Sequence, residues 1–431
     1  MPARSFRPRP DKAGTPTLSR LLRRVKLFAL TRWRKGNGSE ESPRRMYRSR
    51  RRAGLLMLTW PQGVGFALGV LSLAGSSYAL AAIWAARRFR RDTAADPAAP
   101  SLSLLKPLHG EEPGLRENLE SFCLQDYGGS VQIVFGVQDP NDPAIAVVGE
   151  LKRAHPARDI ALVIDSTLHG SNRKVSNLIN ILPQAKHDTL VLSDSDIRVT
   201  PDYLSAIAGA LGGGGAVSCL YTGTDIGNPW SRLVAMGINY QFIPNVLFAT
   251  ASGLDAPCFG STIALSRALL ARIGGPEAFK DLLADDYEIG RAVRNCAERT
   301  RLAPVVVAHI CGETNAGEMI AHELRWARTI RLINWAGHWG SLVTHAMPLA
   351  LIGLALAPGA FTLTVLALAL SARAAVKLNM DKVLGTSAGP LYLLPLRDLL
   401  SFAIFLGSLY GGSVRWRGRR FAVAPDGVLS Q

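Results

Sequence analysis

Cysteine is scarce in this chain, with five in 431 residues. Their number is odd and they lack the spacing of a metal-ligand set. A disulfide framework is therefore not expected, and we interpret the thiols as small buried side chains in a reducing compartment. The five are Cys123, Cys219, Cys258, Cys296 and Cys311.

Acidic residues are few at the start of the chain. Residues 1–52 carry 17 Lys/Arg against 3 Asp/Glu, whereas the other 379 residues carry 32 against 30. The net charge of +16 therefore describes a basic tail, which we expect to be disordered apart from an amphipathic helix over 19–33. Beside a membrane span, anionic lipid is a better-supported partner of this tail than nucleic acid.

Long hydrophobic runs are abundant, and hydrophobic residues make up 48% of the chain. Residues 62–84 carry no formal charge and are long enough to span a bilayer. The run is too long, and begins too far into the chain, for a cleaved signal peptide. We predict an N-terminal transmembrane helix with its basic flank over 53–91.

Apolar character returns near the C-terminus, where we predict transmembrane segments over 341–411 and a tail over 412–431. Three spans are expected, with two spans and an interfacial helix as the alternative. One block is short, and another contains Arg397 and Asp398, which must pair or face protein at membrane depth. The apolar blocks are 342–357, 360–378 and 391–410.

Residues 100–315 alternate strand-like and helix-like segments. This rhythm predicts an α/β domain with a doubly wound sheet. An interfacial helix over 316–340 is expected to follow it. The predicted strands are 102–107, 131–137, 160–164 and the run ending before Asp194, and the predicted helices are 114–125 and 172–182.

Two carboxylates follow the apolar run at 189–192, namely Asp194 and Asp196. Alternate residues of an extended chain point the same way, so both can face one site at the carboxyl end of the strand, where open α/β sheets bind ligands. A divalent cation bridging a diphosphate would relieve their repulsion. Alone this pattern is weak, because most such pairs are solvated loop acids.

An ordered set of motifs runs along the chain. The motifs are Leu105-Lys106-Pro107-Leu108, Val137-Gln138-Asp139 with Asp142-Pro143-Ala144-Ile145, Asp194-Ser195 with Ile197-Arg198-Val199, Ala284-Asp285-Asp286-Tyr287 and Arg325-Trp326. This set resembles the ceramide glucosyltransferase family, glycosyltransferase family 21. Within it the chain is most similar to bacterial hopanoid-biosynthesis-associated glycosyltransferases, from about Ser101 to Arg420. The resemblance implies a GT-A nucleotide-sugar fold, Rossmann-like, with membrane anchoring and sugar transfer from a UDP donor to a lipid hydroxyl.

The resemblance also implies roles for single residues. Asp142 matches the family's first aspartate, on the nucleotide side, although a turn aspartate is the alternative. Asp194 matches the second aspartate. Asp286 matches the general base that takes the proton of the attacking hydroxyl, with Asp285 as the alternative base or a helix cap.

Other candidates rest on their own chemistry beside the family pattern. Lys174 lies at a predicted helix start, where its charge and the helix amides could meet a phosphate, unless it is simply solvated. Asp196 completes a metal pair for Mg²⁺ or Mn²⁺ that the family does not require. Arg325 could clamp the departing diphosphate and Trp326 could wall the acceptor pocket, unless both are bilayer anchors. The family has Gln or Arg where this chain has His322, and imidazole can also donate to phosphate.

Two further segments are weaker signals. Relatives use the region of 258–262 as the floor of the sugar site, and Gly260 would allow close backbone approach there. The apolar and aromatic segment 236–248 could line a lipid entrance, but it is more often plain core.

We expect an inverting, metal-dependent membrane enzyme that moves one hexose, glucose or N-acetylglucosamine, from a UDP-sugar to ceramide or a hopanoid polyol. Its catalytic domain would face the cytoplasm at a bacterial inner membrane. A processive polysaccharide synthase is an alternative, against which His322 and the small number of spans argue. A non-catalytic membrane-anchored nucleotide or nucleic-acid binder is a second, against which the near-neutral charge after residue 52 argues.

The basic tail conflicts with this topology. One span before a cytoplasmic domain would move 17 basic residues outward, against the positive-inside tendency. We therefore expect residues 1–56 to be a dispensable over-extension, unless 62–84 forms a hairpin around its glycines. A chain beginning at Met57 should insert and transfer sugar like the full chain, in membrane fractionation and transfer assays. Loss of insertion, or a native N-terminal peptide from before Met46, would overturn this expectation.

Overall fold

The computed structural model describes residues 59–89, 99–254, 258–411, 413–416, 419–423 and 428–430. The basic tail, its predicted helix over 19–33 and the possible start at Met57 lie outside the described residues.

A mixed sheet of eight strands lies at the centre of the region predicted as the catalytic domain, in the order β3-β2-β1-β4-β7-β6-β8-β5. Strands β1 to β4 are parallel, while β7 runs antiparallel to β4 and β5 antiparallel to β8. Leu105 of β1 pairs with Leu192 of β4, so the carboxyl ends of these central strands lie side by side. The strands are β1 (Leu102–Pro107), β2 (Val131–Val137), β3 (Asp159–Ile164), β4 (Thr189–Leu192), β5 (Ile197–Arg198), β6 (Ala216–Asp225), β7 (Ile263–Ser266) and β8 (Thr300–Cys311).

Helices flank this sheet and continue into the apolar regions. The predicted strands 102–107 and 131–137 are confirmed, and the helix predicted over 172–182 begins at Arg173 because Asn172 caps it by accepting from the Val175 amide. The helices of the described residues are α1 (Trp60–Arg88), α2 (Leu115–Cys123), α3 (Ala144–Ala154), α4 (Arg173–Ile181), α5 (Tyr203–Leu211), α6 (Pro229–Gly237), α7 (Ile243–Ala251), α8 (Arg267–Arg272), α9 (Asp285–Asn295), α10 (Ala316–Ile333), α11 (Trp335–Gly340), α12 (Ala346–Leu356), α13 (Ala360–Leu384) and α14 (Leu394–Ser408).

Four helices of the described chain are long and apolar enough to cross a membrane, and the α11–α12 region forms a further pair bent by 63°. Three of the four correspond to predicted spans. The fourth, Pro229–Ala251, joins α6 and α7 through a π-helical turn at Ile238–Phe242 and lies within the segment predicted as catalytic domain. A search for uninterrupted apolar runs misses this segment because Asn239 and Gln241 interrupt it.

Helix α1 packs through small residues. A Cβ added at Gly65 would lie 2.7 Å from the Cβ of Ala357, and one at Gly75 would lie 2.1 Å from the carbonyl oxygen of Val343. The glycines of this segment thus permit close helix packing. Because α1 is unbroken over Trp60–Arg88, the alternative of a hairpin in this segment is wrong.

Candidate active site

A cavity of about 520 Å³ opens beyond the carboxyl ends of β1 and β4. Its walls also include the start of α9, strand β8 and one side of α10. Most of the predicted site residues line it together. These are Lys174, Asp194, Asp196, Asp285, Asp286, His322, Arg325 and Trp326.

Lys174 joins two acidic segments that are distant in sequence. Its Nζ lies 2.8 Å from Asp194 Oδ1 and 3.2 Å from Asp285 Oδ2. Burial alone would lower the pKa of this lysine, but the two carboxylates raise it well above its ordinary value. Lys174 is therefore a charged, paired residue, and the alternative of a solvated side chain is wrong.

Asp286 occupies the second position of α9. Its Oδ2 accepts a hydrogen bond of 2.9 Å from the Gly260 amide, and its Oδ1 accepts one of 2.8 Å from the Tyr287 amide. Desolvation and the charge of Asp285 nevertheless raise the pKa of Asp286 to about 6. Two backbone amides thus orient this carboxylate, and its raised pKa allows it to accept a proton near neutral pH.

Gly260 fits tightly between the charged groups. A Cβ at this position would lie 2.8 Å from Asp194 Oδ2 and 2.8 Å from Lys174 Nζ. A Cβ at this position would have to displace these side-chain ends, so glycine allows the backbone to approach the acidic pair, as the sequence suggested.

Asp196 pairs with a residue that the sequence analysis missed, His309 of β8. Its Oδ2 lies 3.4 Å from His309 Nδ1. Burial alone would raise the pKa of Asp196, but His309 holds it at about 2. Among the described residues, Asp196 Oδ1, His309 Nε2 and Glu313 Oε2 are buried without a hydrogen-bond partner. Such orphaned atoms are costly, which is consistent with a site that is completed by a ligand.

Lys106 is fully buried beneath the turn that carries Asp194 and Asp196, which we call the acidic turn. Its Nζ donates to the Asp194 carbonyl oxygen at 2.7 Å and lies 3.6 Å from the centre of the Phe122 ring. Burial lowers the pKa of Lys106 to about 7 against the pull of Asp194 and Asp196. This lysine anchors the backbone of the acidic turn.

His322 is held by Glu313, another residue that the sequence analysis missed. The Nδ1 of His322 is hydrogen-bonded to Glu313 Oε1, and its ring lies edge-on to Trp326 with centres 4.5 Å apart. Burial lowers the pKa of His322 despite this carboxylate. The neutral ring donates its Nδ1 proton to Glu313, so donation to a phosphate through Nε2 requires a second proton.

The cavity has an apolar half. Apolar side chains of the π-helical turn, α7 and the C-terminal part of α10 contribute to it. Of the segment 236–248, considered above as either lipid entrance or core, Met236 is fully buried, whereas Phe242 and Val246 line the cavity. The cavity therefore combines a charged half with an apolar half.

Asp142 lies apart from the predicted site residues that line the cavity. It follows β2, and its carboxylate accepts hydrogen bonds of 2.9 Å from the amides of Gly110 and Ala144. It is not among the described residues that line the cavity. The observed contacts are those of a turn residue, although Asp142 also fixes the loop after β1 on the side of the sheet where the cavity opens.

A small antiparallel sheet at the C-terminus supports the loop that precedes Asp285. It consists of β9 (Ser413–Trp416), β10 (Arg419–Val423) and β11 (Leu429–Ser430). The Leu429 amide donates to the Asp281 carbonyl at 2.9 Å, and Leu429 packs with Leu283 and Phe421. This region, expected to be a tail, contacts the loop just before Asp285.

Comparison with known proteins bears directly on this arrangement. Residues 67–429 match the profile described as Glycosyl transferase family 21, which is most of the chain. The chain belongs to glycosyl transferase family 21. The resemblance seen in the motifs is thereby confirmed, and the mixed α/β sheet with several apolar helices agrees with the fold expected from it.

Individual relatives match this family 21 member over shorter segments than the family profile does. Ceramide glucosyltransferase 1 of Caenorhabditis elegans is 28% identical over 212 residues, covering 47% of this chain and 44% of the relative. Ceramide glucosyltransferase of Candida albicans is 32% identical over 114 residues, covering 24% and 21%. The matches thus span about half or less of these relatives.

Among solved structures, the chain is similar to the mannosyltransferase PcManGT from Pyrobaculum calidifontis, in complex with GDP-Man and Mn²⁺. The TM-score is 0.49 at 23% identity, covering 81% of this chain and 99% of that one.

The position of Gly260 generates a prediction for this family 21 member. Gly260→Ala should lower the free energy of unfolding by about 1–3 kcal/mol in denaturant titrations, because an added methyl group would push the paired groups of Lys174 and Asp194 apart. Gly149→Ala is the matched control, since a Cβ there meets nothing within 4 Å. Equal free energies of unfolding in Gly260→Ala and Gly149→Ala would show that the pair tolerates a methyl group.

Proposed function

We propose that this protein is an inverting glycosyltransferase that moves one hexose from a UDP-sugar to the hydroxyl of a membrane lipid, ceramide or a hopanoid polyol. The main support is Asp286, whose raised pKa and backbone-fixed carboxylate suit a general base at the wall of a cavity that is charged on one side and apolar on the other. Family membership supports the same reaction class.

The charged half suits the donor. The ammonium of Lys174 lies at the start of α4, and Arg325 lines the same cavity, so both place positive charge at the wall where a diphosphate would bind. Asp142 would contribute on the nucleotide side through the loop that it fixes. We assign Lys174 and Arg325 to the stabilisation of the departing UDP.

The residues present fit a divalent cation. Asp196 keeps one shielded oxygen without a partner among the described residues, and Asp194 is two positions away. The described residues contain no cluster of three or more metal-ligating side chains, so further ligands would come from the diphosphate and water. Asp194 and Asp196 would hold Mg²⁺ or Mn²⁺, which supplies charge neutralisation at the diphosphate when bound.

The apolar half suits the lipid. Trp326 and Phe242 face the cavity from α10 and from the π-helical turn, both next to helices that are apolar enough to enter a bilayer. A lipid chain there would place its hydroxyl beside Asp286. Attack opposite the departing UDP then inverts an α-linked donor to a β-linked product. We place the catalytic region on the cytoplasmic side of a bacterial inner membrane, where UDP-sugars are available.

The test of this function is a transfer assay. Purified protein in lipid nanodiscs, with Mn²⁺ and either UDP-glucose or UDP-N-acetylglucosamine, should release UDP only when ceramide or a hopanoid polyol is present. Mass spectrometry of the lipids should find one added hexose. A polymer would support the polysaccharide synthase instead, and no acceptor-dependent UDP release would contradict the proposal.

The acid–base assignment makes a mutational and a pH prediction. Asp286→Asn and Asp196→Asn should each lower turnover by at least about 10², with folding and insertion retained. Because the base must be ionised, kcat/KM of the unmutated enzyme should fall about tenfold per unit as the pH drops below about 6. Asp286→Asn should lose this pH limb, and near-normal activity in that variant would remove Asp286 from the role.

His322 can be tested by side-chain chemistry. If it donates to phosphate, His322→Gln should keep most of the activity, because the amide supplies an N–H donor, while His322→Ala should lose at least about tenfold. Steady-state UDP release measures both variants. Equal activity in His322→Ala would show that the Glu313–His322 contact serves only the packing of Trp326.

A further inference from the structure

Two charged side chains outside the cavity form a buried bidentate pair. The guanidinium of Arg397, in the first turn of α14, donates to Glu323 of α10 through Nη1–Oε1 at 2.5 Å and Nη2–Oε2 at 3.0 Å. Their side chains are 7% and 9% exposed. The pair links the helix that carries Arg325 and Trp326 to a helix apolar enough to cross a membrane.

The guanidinium of Arg397 also packs closely on α6. A Cβ added at Gly237 would lie 2.2 Å from Arg397 Nη2. Gly237 immediately precedes the π-helical turn. Arg397 therefore lies between α10 and the segment that forms the opposite wall of the apolar half.

The next residue of α14 extends the connection. Asp398 accepts hydrogen bonds from Arg373 Nε at 2.8 Å and Nη2 at 2.7 Å, and Arg373 Nη1 donates to the Tyr240 carbonyl oxygen at 2.9 Å. Tyr240 lies in the middle of the π-helical turn, whose widened backbone leaves a carbonyl for an outside donor. Arg397 and Asp398 thus fix α10 and the π-helical turn to the same turn of α14.

Burying four charges between helices costs desolvation free energy, so each charge needs its partner. Removing one partner leaves an uncompensated charge, whereas removing both partners of a pair is often nearly neutral. The two ends of the network lie close to the cavity. Glu323 precedes Trp326 by three positions on α10, and Tyr240 precedes Phe242 by two, and both aromatic residues line the apolar half.

We propose that Glu323 and Arg397 are positioning residues that set the separation of α10 from the π-helical turn, and so the width of the apolar half where the lipid binds. This inference rests on the proposed function. It assigns a role in acceptor binding to charges that do not line the cavity. Of the groups assigned to the donor, Lys174 and Asp194 lie on the sheet side. Arg325 lies on α10, but its assigned role is to stabilise the departing UDP, so a shift of α10 is expected to lower kcat rather than to change the KM for the UDP-sugar.

The test compares Glu323→Gln, Arg397→Gln and the double variant in nanodiscs. Glu323→Gln should raise the KM for ceramide, and the Kd for a short-chain fluorescent ceramide, by roughly tenfold or more. The KM for the UDP-sugar should change by less than about twofold. The double variant should be no worse than the more affected single variant, because it removes both charges.

Lys186→Gln is the matched control. Lys186 forms a similarly short but exposed pair with Asp159, at 2.6 Å, at the amino end of β3, and neither residue lines the cavity. Loss of this pair should leave both KM values unchanged. A merely structural role would instead lower the amount of active enzyme, so that kcat falls while both KM values stay constant.

The outcomes separate the two proposals. If the unmutated enzyme transfers no sugar to any lipid, the proposed function fails. If it is active but Glu323→Gln leaves the ceramide KM and Kd unchanged, or raises the donor KM equally, the positioning role is overturned. Additive effects of the two single variants would equally contradict a pair that acts as one unit.

Discussion

The ammonium of Lys174 is the interaction on which the site depends. It lies within 3.2 Å of both Asp194 and Asp285, which come from opposite parts of the sheet region. Without this cation, the acidic turn after β4 and the start of α9 would repel each other across the cavity. Lys106 below the turn and His309 beside Asp196 complete the compensation. Burial and the neighbouring charge of Asp285 still leave Asp286 with a raised pKa, which is the property that its proposed role requires.

Much of the framework could be predicted because its signals are local. A buried parallel strand is a short continuous apolar run, and this pattern located β1 and β2 to the residue. The acidic pair, the start of α4 and the Asp285–Asp286 step are also local patterns, and their order along the chain indicated the family. The sequence likewise pointed to the close approach at Gly260, since glycine has a specific steric meaning.

The rest depends on partners that no local pattern reveals. His309 lies in an ordinary-looking strand, and only the pairing of β8 with β5 brings it to Asp196. Glu313 and Glu323 resemble solvated acids until their partners, His322 and Arg397, are placed. The helical pair at 229–251 was missed for a related reason: polar residues that interrupt an apolar run are tolerated once neighbouring groups satisfy them, as the backbone of Gly223 does for the Asn239 side chain.

Helix α10 lies between the hydrogen-bonded sheet and the apolar helices. The sheet is held by a hydrogen-bond ladder and can carry clustered carboxylates without moving, whereas α10 shares no ladder with its neighbours and lies against apolar helices. Apolar contacts alone allow such a helix to slide, because they are not directional. A bidentate pair is directional, so Glu323 and Arg397 fix both the height and the rotation of α10. Arg325 and Trp326 then meet the sheet-borne carboxylates in a defined geometry, which the proposed transfer from a charged donor to an apolar acceptor requires.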